Sequence, residues 1–150
     1  MATFGGKIKG IKELEKKFDK FQAEMLSGQV QAVAESTLLV HSIAVQELQN
    51  NNDGSPTIRY KPRRLVNTSN PFTPPNSDSG RAVQSIKFDF QKSGLVGRVG
   101  TNLKYLAWLE IGTENIKPRP WLTIALQKAA AEVGKIFAKH IKERLNDLGK

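Results

Sequence analysis

Few side chains in this chain of 150 residues are placed to do chemistry. Glu110 is a carboxylate among apolar neighbours, in Tyr105-Leu-Ala-Trp-Leu-Glu-Ile-Gly-Thr113. A desolvated carboxyl has a raised pKa and can act as a general base. No second acid, base or nucleophile shares its motif, so its competing role is to bind backbone amides or an arginine of an adjacent subunit. His41 and His140 fall on helical patterns with no metal-ligand neighbour at ligating spacing, which favours capping or packing roles. Gly94-Leu-Val-Gly-Arg-Val-Gly100 departs from the G-x-G-x-x-G spacing of a phosphate-cradling loop, and no G-x-x-x-x-G-K-[ST] stretch occurs. Cysteine is absent, which excludes a disulfide framework, a thiolate zinc site and a cysteine nucleophile. The expectation is a protein that is no enzyme and carries neither cofactor nor metal.

Charge and aromatic residues point instead to contact with partners. The net charge is +9, from 23 Lys and Arg against 14 Asp and Glu. Such an excess favours anionic surfaces. Arg59, Lys61, Arg63 and Arg64 place four cations within six residues. They can meet phosphate, with steep salt dependence, or carboxylates on a protein neighbour, which arginine engages as a fork. Tyr60 is the one aromatic residue beside them and no groove-reading motif accompanies them, which favours protein over nucleic acid. Trp108 and Trp121 lie beside Gly and Pro on short connecting segments; both core and interface anchor are open to them. Asn67-Thr-Ser69 matches a glycosylation sequon by chance, since the opening Met-Ala-Thr-Phe-Gly-Gly-Lys has no secretory h-region.

The elements that must hold these residues follow from apolar spacing. Residues 1–10 are rich in Gly and Lys and are expected to fray. Ile11, Leu14, Phe18, Phe21 and Met25 form one helical stripe, and Val33, Thr37, Val40, Ala44 and Leu48 continue it. Ser27-Gly28 between them is a kink, a break or a tolerated pair. The pattern stops at Asn50-Asn-Asn-Asp-Gly54. Residues 54–80 hold Pro56, Pro62, Pro71, Pro74 and Pro75 and few apolar side chains. They are expected to form a structureless projecting arm that orders against another surface. Ile86, Phe88 and Phe90 alternate with polar residues, Lys92-Ser-Gly94 turns the chain, and Leu95–Thr101 returns as a second strand. Gly97 and Gly100 mark close backbone approach or a bulge. Leu103–Glu110 suits a short helix ending at Gly112. Pro120 suits the first turn of a long last helix carrying Leu122, Leu126, Ala129, Val133, Ile136, Ile141 and Leu145. The sum is one α+β domain over 1–150: long N-terminal helix, extended Pro-rich arm, antiparallel sheet with a central hairpin, and C-terminal helix packed on one sheet face. No apolar run reaches bilayer length, so a soluble protein made in the cytoplasm is expected. A hydrophobic fraction of 39% is low for a globular domain, as when a core is completed by neighbouring subunits.

In this order the residues resemble a known family. Ser69-Asn-Pro-Phe-Thr-Pro-Pro75, then Asp78-Ser-Gly-Arg-Ala-Val83 and Ser85-Ile86, are similar to the Ser-x-Pro-Gly-x-Pro-Pro, Asp-Thr-Gly-x-Leu and Ser-Ile of tail-completion, or head–tail joining, proteins of long-tailed bacteriophages. Tyr105–Thr113 resembles the family's Tyr-Ala-x-x-x-Glu-Phe-Gly-Thr, and Arg119-Pro-Trp-Leu122 its Arg-Pro-Phe-Leu. Phe72 stands where the family often has Gly, Val83 where Leu is usual, and Leu106 interrupts the Tyr-Ala pair. The resemblance implies a structural virion protein of the lambdoid minor-tail type, assembled in the host cytoplasm into a ring, commonly a hexamer, at the phage neck. Its implied partners are copies of itself, a head-side connector or head-closure protein, and a tail terminator or tail-tube protein. DNA would cross the channel without specific binding, and no membrane is involved. The expected contact residues are Arg59, Arg63, Arg64, Phe72, Tyr105, Trp108, Glu110, Gly112, Thr113, Arg119 and Trp121. The alternative class is a basic nucleic-acid-binding module.

Overall fold

The computed structural model describes residues 10–50, 53–60, 63–77 and 79–148, with the backbone alone for 57–60, 63–66 and 148. Residues 1–9 of the expected frayed terminus lie outside that set. The architecture is α+β. Helix α1 spans Ile11–Asn50 without interruption, a rod of about 60 Å. Ser27-Gly28 does not break it, and packing explains the glycine. Gly28 is buried, and a Cβ there would stand 3.0 Å from Arg144 Cγ and 3.5 Å from the His140 carbonyl oxygen. The missing side chain lets the last helix, α4 (Leu122–Leu148), lie close. The two run antiparallel. Lys128 binds Glu47 at 2.6 Å, His140 meets Glu35 at 2.6 Å, and Arg144 reaches Gln31 at 2.8 Å. Exposed pairs of this kind add little stability, but they mark the register of the helix pair.

The segment expected as a structureless arm contains a β-hairpin. Strands β1 (Ser55–Tyr60) and β2 (Arg63–Thr68) pair antiparallel from Ser55 opposite Thr68 to Tyr60 opposite Arg63. Proline is tolerated at Pro56 because both strands of a two-stranded ribbon are edges. Neither strand joins the second sheet. From Ser69 the chain loses regular structure but stays packed, with Ser69, Pro74 and Pro75 buried. A short helix, α2 (Arg81–Ser85), leads into strand β3 (Ile86–Phe90), which pairs antiparallel with β4 (Gly97–Thr101). The turn at Lys92-Ser-Gly94 forms as expected, with Gly94 at φ 71°. The return strand starts at Gly97 rather than Leu95. Gly97 provides the close approach, since a Cβ there would collide with Thr37 of α1, whereas Gly100 faces open space.

Helix α3 (Lys104–Ile111) ends at Gly112, whose φ of 79° suits glycine. The core gathers Ala44 and Leu48 of α1, Ile86 of β3, Leu106 of α3, and Trp121 and Ala125 around the start of α4. Val99 and Leu122 pack at its edge, so the start of α4 covers the β3–β4 sheet from one face. No described helix is long and apolar enough to cross a membrane.

Candidate interaction site

The three motif stretches meet at one junction. Glu110, at the end of α3, reaches the start of α4. Its Oε2 accepts from the N–H of Trp121 at 2.7 Å and of Leu122 at 3.0 Å. Its Oε1 accepts from Thr123 N–H at 2.8 Å and from the Thr123 hydroxyl at 2.6 Å. A helix start leaves such N–H groups without intrahelical partners and carries partial positive charge. One carboxylate borrowed from the preceding helix satisfies three of them. Burial raises the pKa of Glu110, but the Thr123 hydroxyl and the three N–H groups outweigh it and hold the carboxyl below its ordinary value. This is the amide-binding role, and it opposes the raised pKa that a general base would need.

Trp121 fills the core at 2% exposure, and its Nε1–H donates to the Leu106 carbonyl at 3.2 Å. Of the two places open to it from sequence, it takes the core. Arg119 ties the other strands of the junction. Its backbone N–H donates to the Leu109 carbonyl at 2.6 Å and its Nε to the Ser69 carbonyl at 3.2 Å. Phe72 N–H donates to the Pro118 carbonyl at 2.8 Å. Gly112 N–H donates to the Trp108 carbonyl, and Thr113 pairs with Ile116 across a tight bridge. Of the expected contact residues, Glu110, Gly112, Thr113, Arg119 and Trp121, and Phe72 through its backbone N–H, are therefore joined to their own chain.

Large apolar side chains of the same stretches are open to solvent. Trp108 is 53% exposed, Ile111 77% and Phe72 65%, with Tyr105 and Ile116 exposed beside them in sequence. Tyr105, Trp108 and Ile111 recur every third residue on α3, one face of a helix. Phe72 is held at φ 68°, a left-handed conformation that a bulky residue seldom adopts. Backbone strain of this kind, about 1–3 kcal/mol, collects at functional sites. Ile111 and Ile116 were not among the expected contacts; the i, i+3 spacing from Trp108 was the signal for Ile111.

The other expected residues divide differently. The hairpin register sets Arg59 opposite Arg64, while the side chains of Arg59, Arg63 and Arg64 lie outside the described residues. His41 Nε2 stands 3.4 Å from the Ile86 carbonyl and its ring packs edge-on to Phe88. His140 is occupied with Glu35. Among the described residues no group of His, Asp and Glu is gathered as a metal site. An apolar groove of about 560 Å³ runs between α1, β4 and α4, lined in part by Thr37, Val40, Val99, Leu122 and Leu126. Comparison of the chain with protein-family models, curated proteins and solved structures finds no match.

Proposed function

We propose that the chain is a structural subunit of the neck of a long-tailed bacteriophage, assembling into a ring that completes the tail and joins it to the head. One observation carries this reading. The three stretches that resemble the tail-completion family converge through Glu110, Arg119 and Phe72 on a single junction, and that junction presents Phe72, Trp108 and Ile111 outward. The left-handed φ of Phe72 supports it further. The family often has Gly at this position, the residue that such a conformation favours.

In this reading the outward aromatic patch docks on the next subunit, as aromatic anchors do at the centre of interfaces. A head-to-tail contact of this kind is heterologous and closes into a ring, taken to be a hexamer. The β1–β2 hairpin carries its arginines to a connector, terminator or tube protein. The purified chain should form closed rings by electron microscopy and native mass measurement, and phage lacking it should accumulate unjoined heads and tails. Charge reversal of Arg63 and Arg64 should lower particle yield without changing the melting temperature. Unchanged yield would reject the hairpin's part, and infectious phage without the gene would reject the whole.

A second reading, a nucleic-acid-binding module, draws on the facing Arg59 and Arg64. Like charges directly opposite destabilise a ribbon and favour an anionic partner. Salt-dependent binding to random-sequence DNA at physiological ionic strength would promote it.

A further inference from the structure

An apolar stripe is left open at the start of α1. Ile11, Leu14, Phe18, Phe21 and Met25 are spaced by alternating threes and fours, the a and d positions of a heptad. Phe18 is 63% exposed, and Ile11, Leu14 and Phe21 are exposed with it. The cause is the register of the helix pair. Continued from Lys128–Glu47 and His140–Glu35, it sets Leu148 opposite Ser27. Helix α4 ends where the stripe begins.

We propose that a second copy of this chain covers the stripe, packed antiparallel to it. Three features select that occupant. The segment is charge-balanced, with Lys12, Lys16, Lys17 and Lys20 against Glu13, Glu15, Asp19 and Glu24, in a chain of net charge +9. It therefore has no bias toward an anionic partner and does not repel itself. The antiparallel offset that sets Phe18 against Phe21 of the second copy, and Leu14 against Met25, also brings both flanking Lys17 residues beside Glu24 of the opposite copy. A parallel, in-register pair sets Lys17 beside Gln22 and forms no such charge pair. The antiparallel arrangement also sends the two positively charged bodies to opposite ends. Within its own chain Glu24 already makes a 3.4 Å contact with Arg144, so at the seam its carboxylate is shared between Arg144 and Lys17 of the second copy. The contact is two-fold and self-complementary, so it is separate from a head-to-tail ring and does not rest on the neck reading.

Sedimentation of the full chain over a concentration series tests it. A monomer–dimer equilibrium is expected, or dimers of whatever ring forms. The F18E/F21E variant should weaken the association at least tenfold, with helix content by circular dichroism retained because both side chains are exposed. Lys17→Glu alone and Glu24→Lys alone should each weaken it by about two- to fivefold, as exposed ion pairs do. Mixing these two variants should restore it, since every seam pair is then Glu with Lys. The native chain has no cysteine, so an L14C/M25C variant reports orientation under oxidation. Linkage of position 14 to 25 is expected, and linkage of 14 to 14 would overturn the antiparallel pairing. A chain that stays monomeric into the millimolar range would overturn the proposal, as would an oligomer indifferent to F18E/F21E. In that last case rings can persist, so the neck reading and this one fail separately.

Discussion

Two tryptophans thirteen residues apart show how one junction holds two kinds of surface. Trp121 is sealed among Leu48, Leu106 and Ala125, with its ring N–H satisfied by a backbone carbonyl. Trp108 stands on the opposite side of α3 and keeps half its surface open. Between them Glu110 is turned inward to close the start of α4. The inner side is a knot in which the Glu110 carboxylate, the Trp121 ring N–H and the Arg119 Nε have partners of their own chain. The outer side offers aromatic area on a backbone the knot has fixed. The rigid inner half positions the open half, which lowers the ordering cost of docking.

The sharpest way to break the comparison is to treat the tryptophans alike. Trp121→Ala should destabilise the fold by about 3–5 kcal/mol, since it empties the largest fully buried side-chain site and removes the indole hydrogen bond to Leu106. A thermal melt should fall by roughly 10 °C or more. Glu110→Ala should cost about 1–2 kcal/mol, the loss of a helix cap, and Glu110→Gln less because its oxygen still accepts. The pH dependence has a definite sign. The folded carboxyl titrates below the ordinary 4.5, so its contribution is complete above that value and fades as pH falls through the folded pKa. Stability curves of the native chain and Glu110→Gln should be separated at neutral pH and converge in acid. A gap that widened in acid would mean that Glu110 is not held as the anion.

The inner half was more legible in sequence than the outer. Gly112 and the Pro118-Arg-Pro120 reset mark the ends of α3 and α4 because φ preference is a local property. The periodic stripes of α1 and α4 are local too. Which tryptophan is buried is not, since both follow short segments and only the angle of α3 to the core decides. Gly28 was ambiguous for the same reason; its small size serves Arg144 and His140, more than a hundred residues away. The β1–β2 hairpin was hidden by Pro56, Pro62 and the basic cluster, which weaken any strand pattern. Pairing of two edges does not require an apolar face to form. The amide-binding role of Glu110 was readable as an alternative, because nothing in its motif completes a catalytic pair.

Phe72 gives a smaller effect with the opposite sign. An L-residue in the left-handed region costs about 1–2 kcal/mol relative to glycine, while glycine loses more entropy on folding. Phe72→Gly should therefore stabilise the isolated chain by up to about 1 kcal/mol, read as a small rise in melting temperature. Ring formation should weaken in the same variant. A gain in stability coupled to a loss in assembly identifies strain kept for contact rather than for folding. A loss of stability would instead make the ring of Phe72 part of the chain's own packing.

The smallest effect on stability, and the most informative for function, is expected at Trp108. An exposed side chain makes few contacts to lose, and Trp108→Ala should shift stability by no more than about 0.5 kcal/mol. The backbone carbonyl of Trp108 still accepts from Gly112, so the end of α3 is untouched by the substitution. Association should nonetheless weaken by a factor of about thirty or more, the loss typical of a central aromatic anchor. The pair of measurements separates the causes. A melt that falls as far as that of Trp121→Ala would place Trp108 under cover within the chain and erase the contrast between the two faces. An unchanged melt with unchanged rings would leave the patch without a partner in self-assembly and move the search to the head and tail proteins. An unchanged melt with lost rings is the outcome in which the outer face of α3 is the docking surface and the knot beneath it is only its mount.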